Sequence, residues 1–191
     1  MAAMVQMQLD RIMTETSDHT GLDVSIIVRD EAWFDESTTI EGMCQAVTQA
    51  VFAQTRDDKD ESGFNEDQTY EAAVVLADDE FVAELNQDYR GRQGPTNVLS
   101  FVALDDEDEV ELPEGLPYML GDIIIALGVV RREAAEMGIP LTNHLKHLVA
   151  HGMLHLLGYD HIEEDDAVEM EELETRILAS MGIDDPYGES Q

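Results

Sequence analysis

Five of the six histidines in this 191-residue chain fall between positions 144 and 161, at His144, His147, His151, His155 and His161. No other feature narrows the possible fold as far. The segment Leu141 to Leu157 reads as a helix, and residues four apart on a helix sit about 40° apart around its axis, one turn above the other. His151 and His155 can therefore point at the same place. Gly158 stands where a helix can stop on a positive φ, and His161 can swing back after the reversal. Whatever the rest of the chain does, it must present one helix end and its following turn as a histidine-lined wall.

The spacing His-x3-His-x2-Gly-x2-His is that of the metzincin zinc proteases. Three neutral imidazoles leave a zinc ion its full charge and one open position for water, whose pKa the ion brings down to about 7. His151, His155 and His161 are thus the candidate ligands of one Zn2+ per chain. The bland alternative is a histidine-rich helix whose rings are hydrogen-bonded in a polar groove. Gly152 decides the reaction class, because metzincins place a general-base glutamate there and peptide hydrolysis lacks its proton acceptor without it. The missing carboxylate also suits an anionic substrate, which points towards phosphodiester hydrolysis. His147 lies one turn before His151 on the same face, where it can touch substrate, orient a ligand or pack. His144 and His19 read as surface residues.

Around this segment the chain reads as one layered domain. Leu22, Val24, Ile26 and Val28 alternate with polar residues as in a strand. Thr38 and Glu41 have capping-box spacing ahead of a helix through Val51. Residues 70–77 read as a strand and Asp78 to Asn86 as a short helix. Asn97 to Ala103 and Leu120 to Leu127 give two further strands, separated by an acidic loop. Helices follow at Val129 to Met137, Leu141 to Leu157 and Asp165 to Met181. About four strands among about five helices mean an α/β (α+β) fold, with residues 1–191 expected as a single metal-dependent hydrolase domain and 1–20 and 184–191 as loosely ordered tails. Asp58, Asp60, Ser62 and Gly63 imitate the start of an EF-hand loop, but its twelfth position is Thr69 where a bidentate glutamate is needed, so a calcium site is excluded.

Charge then limits the partners. Forty-three acidic residues face ten basic ones, for a formal net charge of -33, and the only lysines are Lys59 and Lys146. Such a surface is tolerated best where salt screens it, and it rules out binding nucleic acid through a broad basic face. Any RNA chemistry must rest on a small local positive site, for which Arg90, Arg92, Arg131, Arg132 and the metal are the candidates. Cys44 is the single cysteine, which excludes an internal disulfide. No stretch reaches the roughly 18 apolar residues of a membrane span, and the first residues lack the basic start and apolar core of a secretory signal. A cytoplasmic protein is expected.

Three segments together resemble one family. HGMLHLLGYDH, from His151 to His161, is similar to the signature of the YbeY family of bacterial rRNA-maturation endoribonucleases. LNQDYRGRQGPTNVLSF, from Leu85 to Phe101, and LGDIII, from Leu120 to Ile125, follow the same family in order and spacing. The resemblance covers most of the chain from about residue 70 onwards. It implies a mixed-sheet α/β fold, one zinc on His151, His155 and His161, and cleavage of single-stranded RNA. It also implies work on small-subunit ribosomal RNA and in ribosome quality control, with small-subunit proteins as partners and neither DNA nor membrane involved.

Arg90 aligns with the functional arginine of that family and is the candidate catalytic residue. A planar, always-charged fork suits a phosphate and the charge that develops on it. The family often has an aspartate between that arginine and the Pro-Thr pair, where this chain has Gln93. Asp122 is a candidate for positioning within the sheet, with a structural hydrogen bond the favoured role. The attacking oxygen is either a water activated at the metal or the RNA's own 2′-hydroxyl. A competing reading is a ribosome-associated assembly factor whose zinc site is mainly structural.

Overall fold

In the computed structural model, residues 21–58, 68–103, 116–161, 164–184 and 186 are described. The EF-hand-like acidic loop beyond Asp58, His19 and the N-terminal tail lie outside them. Four strands, β1 (Leu22–Val28), β2 (Tyr70–Ala77), β3 (Val98–Val102) and β4 (Tyr118–Ala126), form one sheet in the order β1-β2-β4-β3. β1 pairs with β2, and β2 with β4, in parallel, while β3 runs antiparallel to β4 at the edge. The sheet is mixed, as the family resemblance implies. β2 is buried along nearly its whole length, which is why YEAAVVLA carries an almost unbroken apolar run instead of an alternating one.

Among the described residues six helices flank the sheet: α1 (Trp33–Glu36), α2 (Ile40–Asp58), α3 (Asp79–Arg90), α4 (Leu127–Met137), α5 (Leu141–Leu156) and α6 (Glu164–Ser180). The helix beyond the expected five is α1, a single turn around Trp33, whose fully buried indole donates to the Ala77 carbonyl at 3.1 Å. One face of the sheet packs Val74, Leu76, Ile123 and Ile125 against α2, α5 and α6. The opposite face packs Val75, Leu99 and Ile124 against Val82 and Leu85 of α3. At the start of α2 the Thr39 amide donates to Ser37 Oγ at 3.2 Å and the Met43 amide to the Thr39 carbonyl at 3.0 Å, so the cap is built one residue away from the expected Thr38 pairing.

Two local features place the site. The register slips between β2 and β4, so that Glu71 pairs with Met119 but Ala72 with Gly121. This bulge brings Leu120 onto the same core face as Ile123 and Ile125. A Cβ on Gly121 would collide with the Phe101 carbonyl, so only glycine fits the bend. The second feature is the close approach of α5 to the sheet at Gly152, where an added Cβ would stand 2.7 Å from Ile123 Cγ2 and 3.2 Å from Ser100 Oγ. The helix carrying the histidines is thereby pressed onto β3 and β4.

Candidate metal centre

α5 ends on Leu157, and Gly158 takes φ 83° to turn the chain back. The Tyr159 amide then donates to the Leu154 carbonyl at 3.1 Å, closing the turn. The same turn holds a ring: His155 Nδ1 lies 3.0 Å from the Tyr159 carbonyl. A carbonyl only accepts, so Nδ1 carries the hydrogen and Nε2 is left as a lone pair. That Nε2 lies 3.1 Å from His151 Nε2. His161, beyond the turn and half exposed, stacks on His151 with ring centroids 5.7 Å apart. The three expected ligands come together, with one nitrogen from each lying within 4.8 Å of the others.

The donor chemistry fits a metal ion. Zinc accepts neutral imidazole nitrogens at about 2.0–2.1 Å. Burial, and after it the neighbouring His151, hold His155 below the ordinary histidine range, so it is neutral at pH 7. Nδ1 of His151 lies 3.5 Å from a carboxylate oxygen of Glu174, and its Nε2 faces Nε2 of His155. Two such nitrogens side by side are donors that a cation can share.

The trio opens onto a cleft of about 540 Å³, which Arg90, Thr96, Asn97, Ser100 and Tyr159 also line. Arg90 reaches it because α3 runs on to that residue, beyond the expected end at Asn86. Gly91 then caps the helix in the left-handed region, and the Arg92 amide bonds back to the Asn86 carbonyl at 3.2 Å. The buried Asn86 side chain donates to the Gly94 carbonyl at 2.8 Å and ties down the loop that leads to Thr96 and Asn97. Asn97 is held at both ends: its Oδ1 accepts from the Val98 amide at 2.7 Å and its Nδ2 donates to Glu133 at 3.1 Å.

Several expected residues sit elsewhere. Arg131 pairs with Glu36 at 2.6 Å and Arg132 with Asp79 at 3.0 Å, and neither lines the cleft, so the basic funnel reduces to Arg90 and the metal position. Gln93 is exposed and does not line the cleft either. Asp122 pairs in register with Phe101, on the face that α3 covers and away from the histidines.

His144 is not a surface residue. It is buried, with Nε2 2.7 Å from Glu133 Oε2. Burial pushes its pKa below the ordinary value, against the pull of Glu133. The residue that sequence reasoning missed is Glu174 of α6, fully buried against His147 and His151.

The chain is similar to known proteins over most of its length. The family model for Endoribonuclease YbeY matches residues 32–182. A protein of that name from Rhodospirillum rubrum is 49% identical over 154 residues, covering 80% of this chain and 76% of the relative. Another, from Bradyrhizobium diazoefficiens, is 44% identical over 177 residues, covering 92% and 91%. Among solved structures, the solution structure of TM1509 from Thermotoga maritima superposes with a TM-score of 0.52 at 22% identity, over 88% of this chain and all (100%) of that one, and shares the fold. From its sequence, the chain belongs to the Endoribonuclease YbeY family.

Proposed function

We propose that this protein is a zinc-dependent, single-strand-specific endoribonuclease of the cytoplasm. Its substrate is ribosomal RNA, in the maturation of the small subunit and in ribosome quality control, beside small-subunit proteins. The observation that carries the reading is that Arg90 and the histidine trio line one cleft. A phosphodiester needs a site that neutralises its oxygens, and the cleft offers a permanently charged guanidinium facing a metal position.

His151, His155 and His161 would hold the zinc, which when bound supplies Lewis acidity and polarises an oxygen ligand. The chain's own groups do the rest. Arg90 binds the phosphate oxygens through its fork and stabilises the charge that grows on them. Asn97, with both ends of its amide already engaged, is a rigid wall of the cleft beside Arg90. The Tyr159 carbonyl keeps the His155 proton on Nδ1 and away from the metal position.

Selection for single strands follows from access. The cleft lies beside the edge strand β3, and the chain as a whole carries a formal net charge of -33. A stiff duplex would bring many phosphates against that charge at once, whereas a single strand can thread one phosphate to Arg90.

The test is cleavage of a single-stranded ribosomal RNA fragment at two salt concentrations, with wild type and His155→Ala purified side by side and their zinc measured. Wild type should carry about one zinc per chain and cut, with faster cutting at the higher salt. The variant should remain folded and lose both. Equal cutting by the two proteins would expose a contaminant and leave the assembly-factor reading in front. A cyclic 2′,3′-phosphate end would assign the attack to the RNA's own hydroxyl.

A further inference from the structure

α6 buries Met170, Leu173, Ile177 and Leu178 in the main core, and Glu174 lies in the same stripe with 0% of its surface exposed. A carboxylate in such a position is costly unless donors meet it. Two rings from α5 face it. His147 Nε2 is 3.1 Å from Oε1, and His151 Nδ1 is 3.5 Å from Oε2. Among the described residues Oε1 has no aligned hydrogen-bond donor, so the His147 ring is a close neighbour and not a formed bond. A carboxylate beside Nδ1 of His151 favours the hydrogen on that nitrogen, at the far side of the ring from the one that faces His155. His147 does not belong to the ligand trio.

We infer that Glu174 is the positioning residue of His151, with His147 packed against its other oxygen: the carboxylate holds the His151 ring in place and keeps its Nε2 bare for a metal ion. The inference rests on the metal-binding reading of the trio and adds the device that sets its affinity. The two ligands on α5 are then prepared by different means. His155 is held by a backbone carbonyl in the turn, and His151 by a side chain from another helix.

Zinc affinity of the full chain, by competition with a chromophoric chelator, tests this without any RNA. Glu174→Gln keeps the shape and removes the charge, and should weaken zinc binding about 10–100-fold. Its thermal melt in excess chelator shows whether the fold survives. His147→Gln should weaken binding less, because the His151 contact remains. In the metal-free wild type, imidazole nitrogen NMR should show His151 protonated on Nδ1. A folded Glu174→Gln protein that binds zinc like wild type would overturn the inference. So would a wild-type His151 protonated on Nε2, and that measurement decides the matter should Glu174→Gln fail to fold. A wild type that binds no zinc at all would instead remove the metal reading, an outcome distinguishable from both.

Discussion

Gly152 and Ile123 meet so closely that a single β-carbon on the helix would lie 2.7 Å from the isoleucine's Cγ2. The absence of a metzincin-type glutamate at this position is therefore a packing requirement as well as a chemical one. Gly152→Ala should lower stability by up to about 2 kcal/mol, since overpacking costs about 1–3 kcal/mol and helix propensity returns roughly 1 kcal/mol. Gly152→Glu should lose more and gain no peptidase activity. Urea unfolding of both variants checks this, and an unchanged midpoint for alanine would mean that the sheet yields instead.

Arg90 is exposed at the last residue of α3, so its removal should leave the fold intact. Arg90→Ala should reduce kcat/KM on single-stranded RNA by about 10²–10³. Arg90→Lys should restore little of it, because an ammonium lacks the planar fork. Full activity in the lysine variant would show that only charge matters there.

Arg131 and Arg132 each face a carboxylate partner away from the cleft. Exposed ion pairs of this kind contribute about 0–1 kcal/mol. Replacing both with glutamine should change stability little and RNA affinity by less than about twofold. A large loss of affinity would place the RNA path across α4 and revive the wider basic funnel.

His144 makes stability depend on pH in a definite direction. Its pKa is held below the ordinary 6.5 by burial, and Nδ1 has no hydrogen-bond partner among the described residues, so a second proton there would be stranded. The unfolded chain thus binds the proton more readily, and the stability His144 contributes is present above pH 6.5 and lost as pH falls through its lowered folded value. His144→Gln should cost about 1–3 kcal/mol at pH 7.5 through the Glu133 contact. The difference from wild type should shrink towards pH 5. A difference that widened with acid would reverse the assignment.

Cys44 is almost fully buried in α2, and burial pushes its thiol up to about 12. The thiolate is the reactive form. At pH 8 the native protein should react with iodoacetamide only as fast as it opens, while the urea-unfolded chain reacts freely. Rapid native alkylation would mean that the α2 face is open.

The parts legible in the sequence were those with a short period. The histidine trio followed from helix geometry and one glycine, and β2 from its apolar run. Arg90 depended on the family likeness, because nothing local tells a surface arginine from one that a left-handed cap at Gly91 turns towards a cleft. Glu174 was hidden among the many acids of α6, yet it occupies the i+4 place in the stripe of Met170, Leu173, Ile177 and Leu178. His144 had the same signature, three residues after Leu141 and one before the buried Leu145. A polar residue inside an apolar helical stripe was the available signal in both cases. The partners that make each burial tolerable lie on other helices, and no single-segment pattern reports them.

The ligand trio is local along the chain, whereas the sheet beneath it is not. His151 and His161 are joined by one helix turn and a reversal, while parallel pairing must bring Leu22 to Tyr70 and Tyr70 to Tyr118. Closing such long loops is slow. Under the proposed zinc binding, an ion can meet the three imidazoles on a chain whose strands are still apart, and metal held by the unfolded form reduces the stabilisation that binding gives the folded one. The melting temperature should rise less with zinc than the native affinity alone implies, and the collapsing chain would carry its ion in with it.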